Sequence, residues 1–288
     1  MALWDKISSR GNVEDRRGMS PQGLAGGIGG LGLTGVIIYL VISLLSGGSS
    51  SSNLDQLLQQ LQQGGVTQQT GQPEQFAGAD QYETFASAVV GSNNDLWREV
   101  FTKNSQTYDE PKLVLFRSLT NSGCGYASSQ VGPHYCPTDK TVYLDETFFD
   151  ELQKRFGAEG GDVAEAYVLS HEVGHHAQNE LGIMEEVQRA QQADPAAAND
   201  LSIKLELQAD CFAGLWAYSI KDLGVFTPGE INEAINAAEA VGDDRIQEKV
   251  QGQVNPESWT HGSSAQRVEW FNRGYESGQV ATCNTFAA

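Results

Sequence analysis

Asp162-Val-Ala-Glu-Ala-Tyr-Val-Leu-Ser-His-Glu-Val-Gly-His-His-Ala-Gln178 is the stretch from which the rest of the chain can be read. Val163, Ala166, Tyr167, Ser170, Val173 and Gly174 recur at three- and four-residue spacing, the mark of a helix with a buried stripe of small and apolar groups. Glu159-Gly160-Gly161-Asp162 breaks what precedes, and Asp162 can serve as N-cap. Within this helix lies His171-Glu172-Val173-Gly174-His175. Four residues advance a helix by about 400°, so His171 and His175 share a face one turn apart and can grip one ion. Glu172 then sits beside the metal, placed to take a proton from a zinc-activated water. The blander reading is a helix carrying two ordinary histidines, which its buried stripe disfavours. His176 follows a ligand and projects about 100° away, so it should not share the ion.

A catalytic zinc usually takes three protein ligands and keeps a fourth position open. Asn199-Asp200 can cap a helix from about Leu201 to Lys221, on which Glu206 and Asp210 are four apart. Ile203, Leu207, Ala213 and Gly214 flank them, and buried carboxylates are costly unless paired or on a metal. Glu206 is the expected third ligand. Asp210 is expected to accept the other N–H of a ligand histidine. The alternative is a solvated acidic edge of an amphipathic helix. Near the C-terminus, Ser263 or Ser264 resembles an N-cap, so His261 precedes a helix and Arg267 lies in it. His261 could donate to the oxyanion formed when water attacks an amide, and Arg267 could hold the site or stabilise charge. Read alone, His261 is a loop histidine with local hydrogen bonds.

These segments together resemble the neutral zinc metallopeptidase family of bacterial membrane-anchored proteins. The resemblance also runs through Arg10-Gly-Asn-Val-Glu-Asp-Arg-Arg-Gly18, Cys124-Gly-Tyr126, Gly132-Pro-His-Tyr-Cys-Pro137 and Tyr143-Leu-Asp145. One departure is His134, where an aromatic residue such as Phe is expected. More distantly, the Glu206-Leu-Gln-Ala-Asp210 spacing and the His261 to Arg267 spacing resemble the integral-membrane peptidases that process CaaX proteins or bacterial membrane proteins. The resemblance implies His171, His175 and Glu206 as zinc ligands, Glu172 as general base, and His261 with Arg267 near the transition state. It implies a peptide or protein substrate and names none.

The 288 residues carry a net charge of −19, which disfavours nucleic acid as a partner. Residues 1–17 carry four basic and three acidic side chains, net +1, so the remainder carries −20. No charge occurs between Arg17 and Asp55, and Leu24 to Leu45 gives 22 mostly apolar residues, about the ~20 that span a bilayer. A signal peptide is the rival reading; the long n-region and the lack of a clear cleavage site favour an uncleaved anchor. The expected layout is a cytoplasmic N-terminal segment (1–23), a transmembrane helix (24–46), a flexible Gly/Ser/Gln-rich linker (47–79) and an extracytoplasmic metallopeptidase domain (80–288). Oligomeric state is not legible. All four cysteines lie beyond the anchor, where an even count favours disulfides. Of three possible pairings, Cys124–Cys136 with Cys211–Cys283 is preferred; a cysteine zinc site lacks the C-x2-C spacing.

Helices are expected at 80–90, 94–104, 146–156, 162–182, 184–193, 201–222, 228–241 and 264–277, with short strands at Lys112–Arg117 and Thr141–Leu144. That is a mostly helical α+β fold, a zincin-like metallopeptidase domain with a small sheet. By analogy with HExxH enzymes, Thr141 to Leu144 is the expected edge strand for a bound peptide. The favoured function is a membrane-anchored zinc endopeptidase. The alternative is a membrane-tethered binding or assembly module with a structural zinc.

Overall fold

The computed structural model describes residues 2–18, 80–129, 132–227 and 229–287. The expected transmembrane helix and linker, 24–46 and 47–79, lie outside these residues. No helix among the described residues is long and apolar enough to cross a membrane. Four strands form one sheet in the order β1 (Asn12–Asp15), β2 (Lys112–Leu115), β6 (Thr141–Leu144), β5 (His134–Cys136). The first three run parallel, with Val13 opposite Leu113 and Leu113 opposite Val142; β5 is antiparallel, with Tyr135 opposite Val142. A separate hairpin, β3 (Leu119–Ser122) and β4 (Gly125–Ser128), completes the β structure.

Strand alternation divides the core. Leu113, Leu115, Tyr135, Val142 and Leu144 join the helical core, while Val114, Phe116, Cys136 and Tyr143 meet Ala127 of the hairpin on the opposite face. The Cys124–Cys136 disulfide staples that hairpin to β5. Thr141–Leu144 is therefore not an edge. It is paired on both sides, and the antiparallel β5 occupies the edge.

The helices are α1 (Gln81–Lys103), α2 (Thr147–Phe156), α3 (Asp162–Glu180), α4 (Ile183–Ala193), α5 (Ala198–Ile220), α6 (Ile231–Ala240), α7 (Asp243–Gln251) and α8 (Ser264–Ser277). The architecture is mostly helical α+β. Two expected helices are one continuous α1. Gly91-Ser-Asn-Asn94 has weak helix propensity, but all four residues are buried, and Asn93 donates to Val89 O and Ser170 Oγ, both at 2.9 Å. Tertiary packing overrides the local preference. Asp162 begins α3 rather than capping it, and Gly161 is the N-cap.

Residues 2–17, set apart in the sequence reading, belong to the folded body. The Ala2 backbone and Trp4 side-chain N–H groups bind one acceptor: Ala2 N and Trp4 Nε1 both donate to Asp162 Oδ2 at 2.8 Å. Trp4 lies 5.0 Å from the Phe85 ring and 6.4 Å from the Trp216 ring. Ile7 is buried, and β1 extends the sheet. The Arg17 side chain, 1% exposed, pairs with Asp15 (2.8 Å), Asp80 (3.0 Å) and Glu146 (3.4 Å).

Two close approaches position the site. A Cβ on Gly174 would lie 3.2 Å from the Ala209 backbone, so α3 and α5 touch beside the histidines. Cβ atoms on Gly214 and Gly274 would meet Phe271 O and Cys211 O at 2.0 Å, so α5 and α8 cross backbone against backbone. The Cys211–Cys283 disulfide ties the C-terminal turn to α5.

Candidate active site

His171 and His175 sit on adjacent turns of α3, and Glu206 faces them from α5. Their ligand atoms all lie within 4.8 Å of one another. His171 Nε2 is 3.1 Å from Glu206 Oε2, and His175 Nε2 is 3.4 Å from Glu206 Oε1. A tetrahedral ion with bonds of ~2.0–2.1 Å holds its ligand atoms roughly 3.3 Å apart, so this donor set fits zinc.

The far side of each imidazole fixes its orientation. His171 Nδ1 donates to Asp210 Oδ1 at 2.8 Å; a carboxylate only accepts, so Nδ1 carries the proton and Nε2 faces Glu206. His175 Nδ1 donates to Gln178 Oε1 at 2.8 Å. The Gln178 amide is itself oriented, because its Nε2 donates to Leu205 O (2.7 Å) and Gln208 Oε1 (3.1 Å). Both ligand histidines thus present Nε2 to the same point.

Asp210 is fully buried and carries four donors. Besides His171, it accepts Tyr167 Oη at 2.6 Å and, from Arg267, Nε at 2.8 Å and a terminal N–H at 2.9 Å. Burial alone would raise the Asp210 pKa; Arg267 and His171 outweigh it and hold the carboxyl below its ordinary range. Arg267 also donates to Val241 O (3.2 Å) and the Tyr167 hydroxyl (3.3 Å). Its donors are directed at Asp210 and its surroundings, behind the ligand cluster. Of the two roles the sequence leaves open for Arg267, holding the site or stabilising charge, these contacts belong to the first.

Burial would lower the His171 pKa, but Asp210 and Glu206 push it up to about 10. Burial would raise Glu206, yet His175, His261 and His171 hold it well below the carboxylate range.

Glu172 follows His171 on the same helix and is 8% exposed. Among the described residues, none hydrogen-bonds to or pairs with its carboxylate, so its oxygens are free for a proton. His261 precedes α8, as expected, and Ser263 caps that helix in a capping box with Gln266. Burial would lower its pKa; Glu206 and Asp243 outweigh burial and raise it. His176 stands apart from the cluster: Nε2 donates to Asp109 O at 2.6 Å, and Nδ1 accepts from Tyr135 Oη at 3.0 Å. His134, the departure from the family pattern, stacks on Tyr143 with ring centroids 5.4 Å apart.

Tyr167, Gln178 and Asp243 were not singled out in the sequence. Gln178 carries a signal, being three residues from His175 on one helix face. Asp243 carries none, because only the tertiary fold brings it to His261.

A family model described as "Putative neutral zinc metallopeptidase" matches residues 2–286. The chain belongs to that family. The chain is similar to an uncharacterized protein of Escherichia coli (strain K12), YpfJ, 44% identical over 287 residues, 98% of each chain. An uncharacterized protein of Mycobacterium tuberculosis (strain H37Rv), Rv2575, is 45% identical over 224 residues, 73% of this chain and 74% of its own. No solved structure matches the chain.

Proposed function

We propose that this member of the zinc metallopeptidase family is a zinc-dependent endopeptidase with a zincin-like active site. The observation that carries the reading is the convergence of His171, His175 and Glu206 Nε2 and carboxylate atoms on one point, with both imidazoles braced from behind. Zinc held by these three residues would lower the pKa of a water toward ~7 and polarise the scissile carbonyl. Glu172 accepts a proton from that water and returns it to the leaving amine. His261 donates to the developing oxyanion. Asp210, Tyr167, Gln178 and Arg267 hold the ligand side chains in place. The substrate adds as a strand to the free edge of β5, in place of the inner β6.

Membrane attachment through 24–46 is part of the same proposal. The two disulfides favour an oxidising, extracytoplasmic compartment for the catalytic body; the strap of residues 2–17, packed on that body, lies there with it, and 24–46 then attaches to the membrane without carrying the chain across.

The test uses the full chain, purified in detergent. One zinc per chain and chelator-sensitive cleavage of a peptide library support the enzyme. Bound zinc without turnover supports the alternative, a structural zinc in a binding module.

A further inference from the structure

We infer that Asp243 is the positioning residue for His261: it fixes both the loop that carries the imidazole and the ring itself. The inference rests on the peptidase reading, in which His261 faces the scissile carbonyl. Asp243 opens α7, is 6% exposed, and directs its two oxygens to different tasks. Oδ2 accepts three consecutive backbone N–H groups, from Thr260 (2.7 Å), His261 (2.7 Å) and Gly262 (3.1 Å). Oδ1 lies 3.3 Å from His261 Nδ1, with Thr260 Oγ1 at 3.0 Å from the same nitrogen. In return, Asp243 N donates to Gly262 O at 2.9 Å.

The clamped loop is laid against the turn of α5 that carries Glu206. Gly262 has φ +92, and a Cβ there would stand 3.3 Å from both Ile203 Cγ2 and Leu207 Cδ2. His261 is therefore held beside the turn of α5 that carries Glu206. A carboxylate only accepts, so the ring nitrogen facing Asp243 carries a proton. Nε2 is the atom left for substrate. This is the second-atom logic by which a buried carboxylate orients a histidine that acts through its other nitrogen.

The neighbouring Asp244 provides the control. Its Oδ1 accepts Ser264 N at 2.7 Å and Ser264 Oγ at 2.8 Å, so it clamps the same loop without touching the imidazole. The experiment compares the zinc-loaded full chain with Asp243→Asn, Asp243→Glu and Asp244→Asn, reading kcat and KM separately, zinc content, and the His261 ring N–H signals by 15N NMR. The expected result is that Asp243→Asn keeps one zinc and a KM within about threefold, while kcat falls about 10²-fold. Its Nδ1–H signal is lost or shifted, Asp243→Glu recovers part of the rate, and Asp244→Asn keeps kcat. Wild-type kcat in Asp243→Asn overturns the inference. So does an equal loss of kcat in Asp244→Asn, which would reduce Asp243 to a loop clamp. If the zinc-loaded wild type cleaves nothing, the peptidase reading fails by itself. The ring signal then decides the Asp243–His261 pairing: an unchanged Nδ1–H in Asp243→Asn refutes it.

Discussion

Replacing Arg267 separates a supporting role from a direct one. Arg267→Met removes two donors from Asp210, at 2.8 and 2.9 Å, and the donors to Val241 O and the Tyr167 hydroxyl. Asp210 stays buried, with only Tyr167 and His171 left to offset its charge. Removing one partner of a buried ion pair costs about 3–5 kcal/mol, a large fraction of the ~5–15 kcal/mol typical of a domain. The damage passes to the metal through His171, whose Nδ1 leans on the same carboxylate, so zinc binding should weaken by about 10–100-fold. With zinc saturating, the folded fraction should keep kcat within about tenfold, because no donor to the oxyanion has been removed. Denaturant unfolding with and without zinc, zinc competition titration and kcat at saturating zinc measure the three quantities. Arg267→Lys is the milder companion if the Met variant does not accumulate. A variant that unfolds at the wild-type denaturant concentration yet loses 10²–10³ in kcat would refute the reasoning and return Arg267 to the transition state.

Three further outcomes follow from the same contacts. Gln178→Leu removes the acceptor of His175 Nδ1–H and should weaken zinc binding by about 10–100-fold in a competition titration, with little change in the Cys211–Cys283 bond that its network reaches. Ile7→Ala, in the buried N-terminal strap, should cost about 2–5 kcal/mol in denaturant unfolding, and cysteines at exposed Leu3 and Val250 should react equally with a membrane-impermeant reagent on intact cells. Burial raises the Glu165 carboxyl from its ordinary 4.5 to about 7. The folded state then holds this proton more tightly than the unfolded chain, so stability should fall by at most about 3 kcal/mol as pH rises from 4.5 to 7, and Glu165→Gln should flatten that slope in unfolding midpoints.

The convergence of His171, His175 and Glu206 was legible because it obeys helix periodicity: His171 with His175, and Glu206 with Asp210, are each four apart. The disulfides were legible from cysteine count and compartment. Helix α8 was legible to the residue, because Ser263 and Gln266 form a capping box. The strap was not. Asn12-Val-Glu-Asp15 is a four-residue strand whose partner among the described residues is a parallel strand about 100 residues away, and a pattern that short has no periodicity to read. The same applies to β5: Pro133 and Pro137 flank three strand residues, so the more apolar Thr141–Leu144 attracted the edge assignment. Arg267 was found as a residue with two roles open, holding the site or stabilising charge, since spacing gives a helix face and not what the guanidinium meets. Asp243 lies on a helix, α7, that the apolar pattern did not reveal, as Asp243-Asp-Arg-Ile-Gln-Glu-Lys-Val-Gln251 is polar on most of its surface.

Glu172→Gln tests the central claim most directly. The substitution keeps the size and the helix while removing the group that accepts the proton. The full-length variant should bind one zinc with wild-type affinity and lose peptide cleavage by at least the 10²–10⁴-fold typical of general base removal. Full cleavage by a zinc-loaded Glu172→Gln chain would contradict the account.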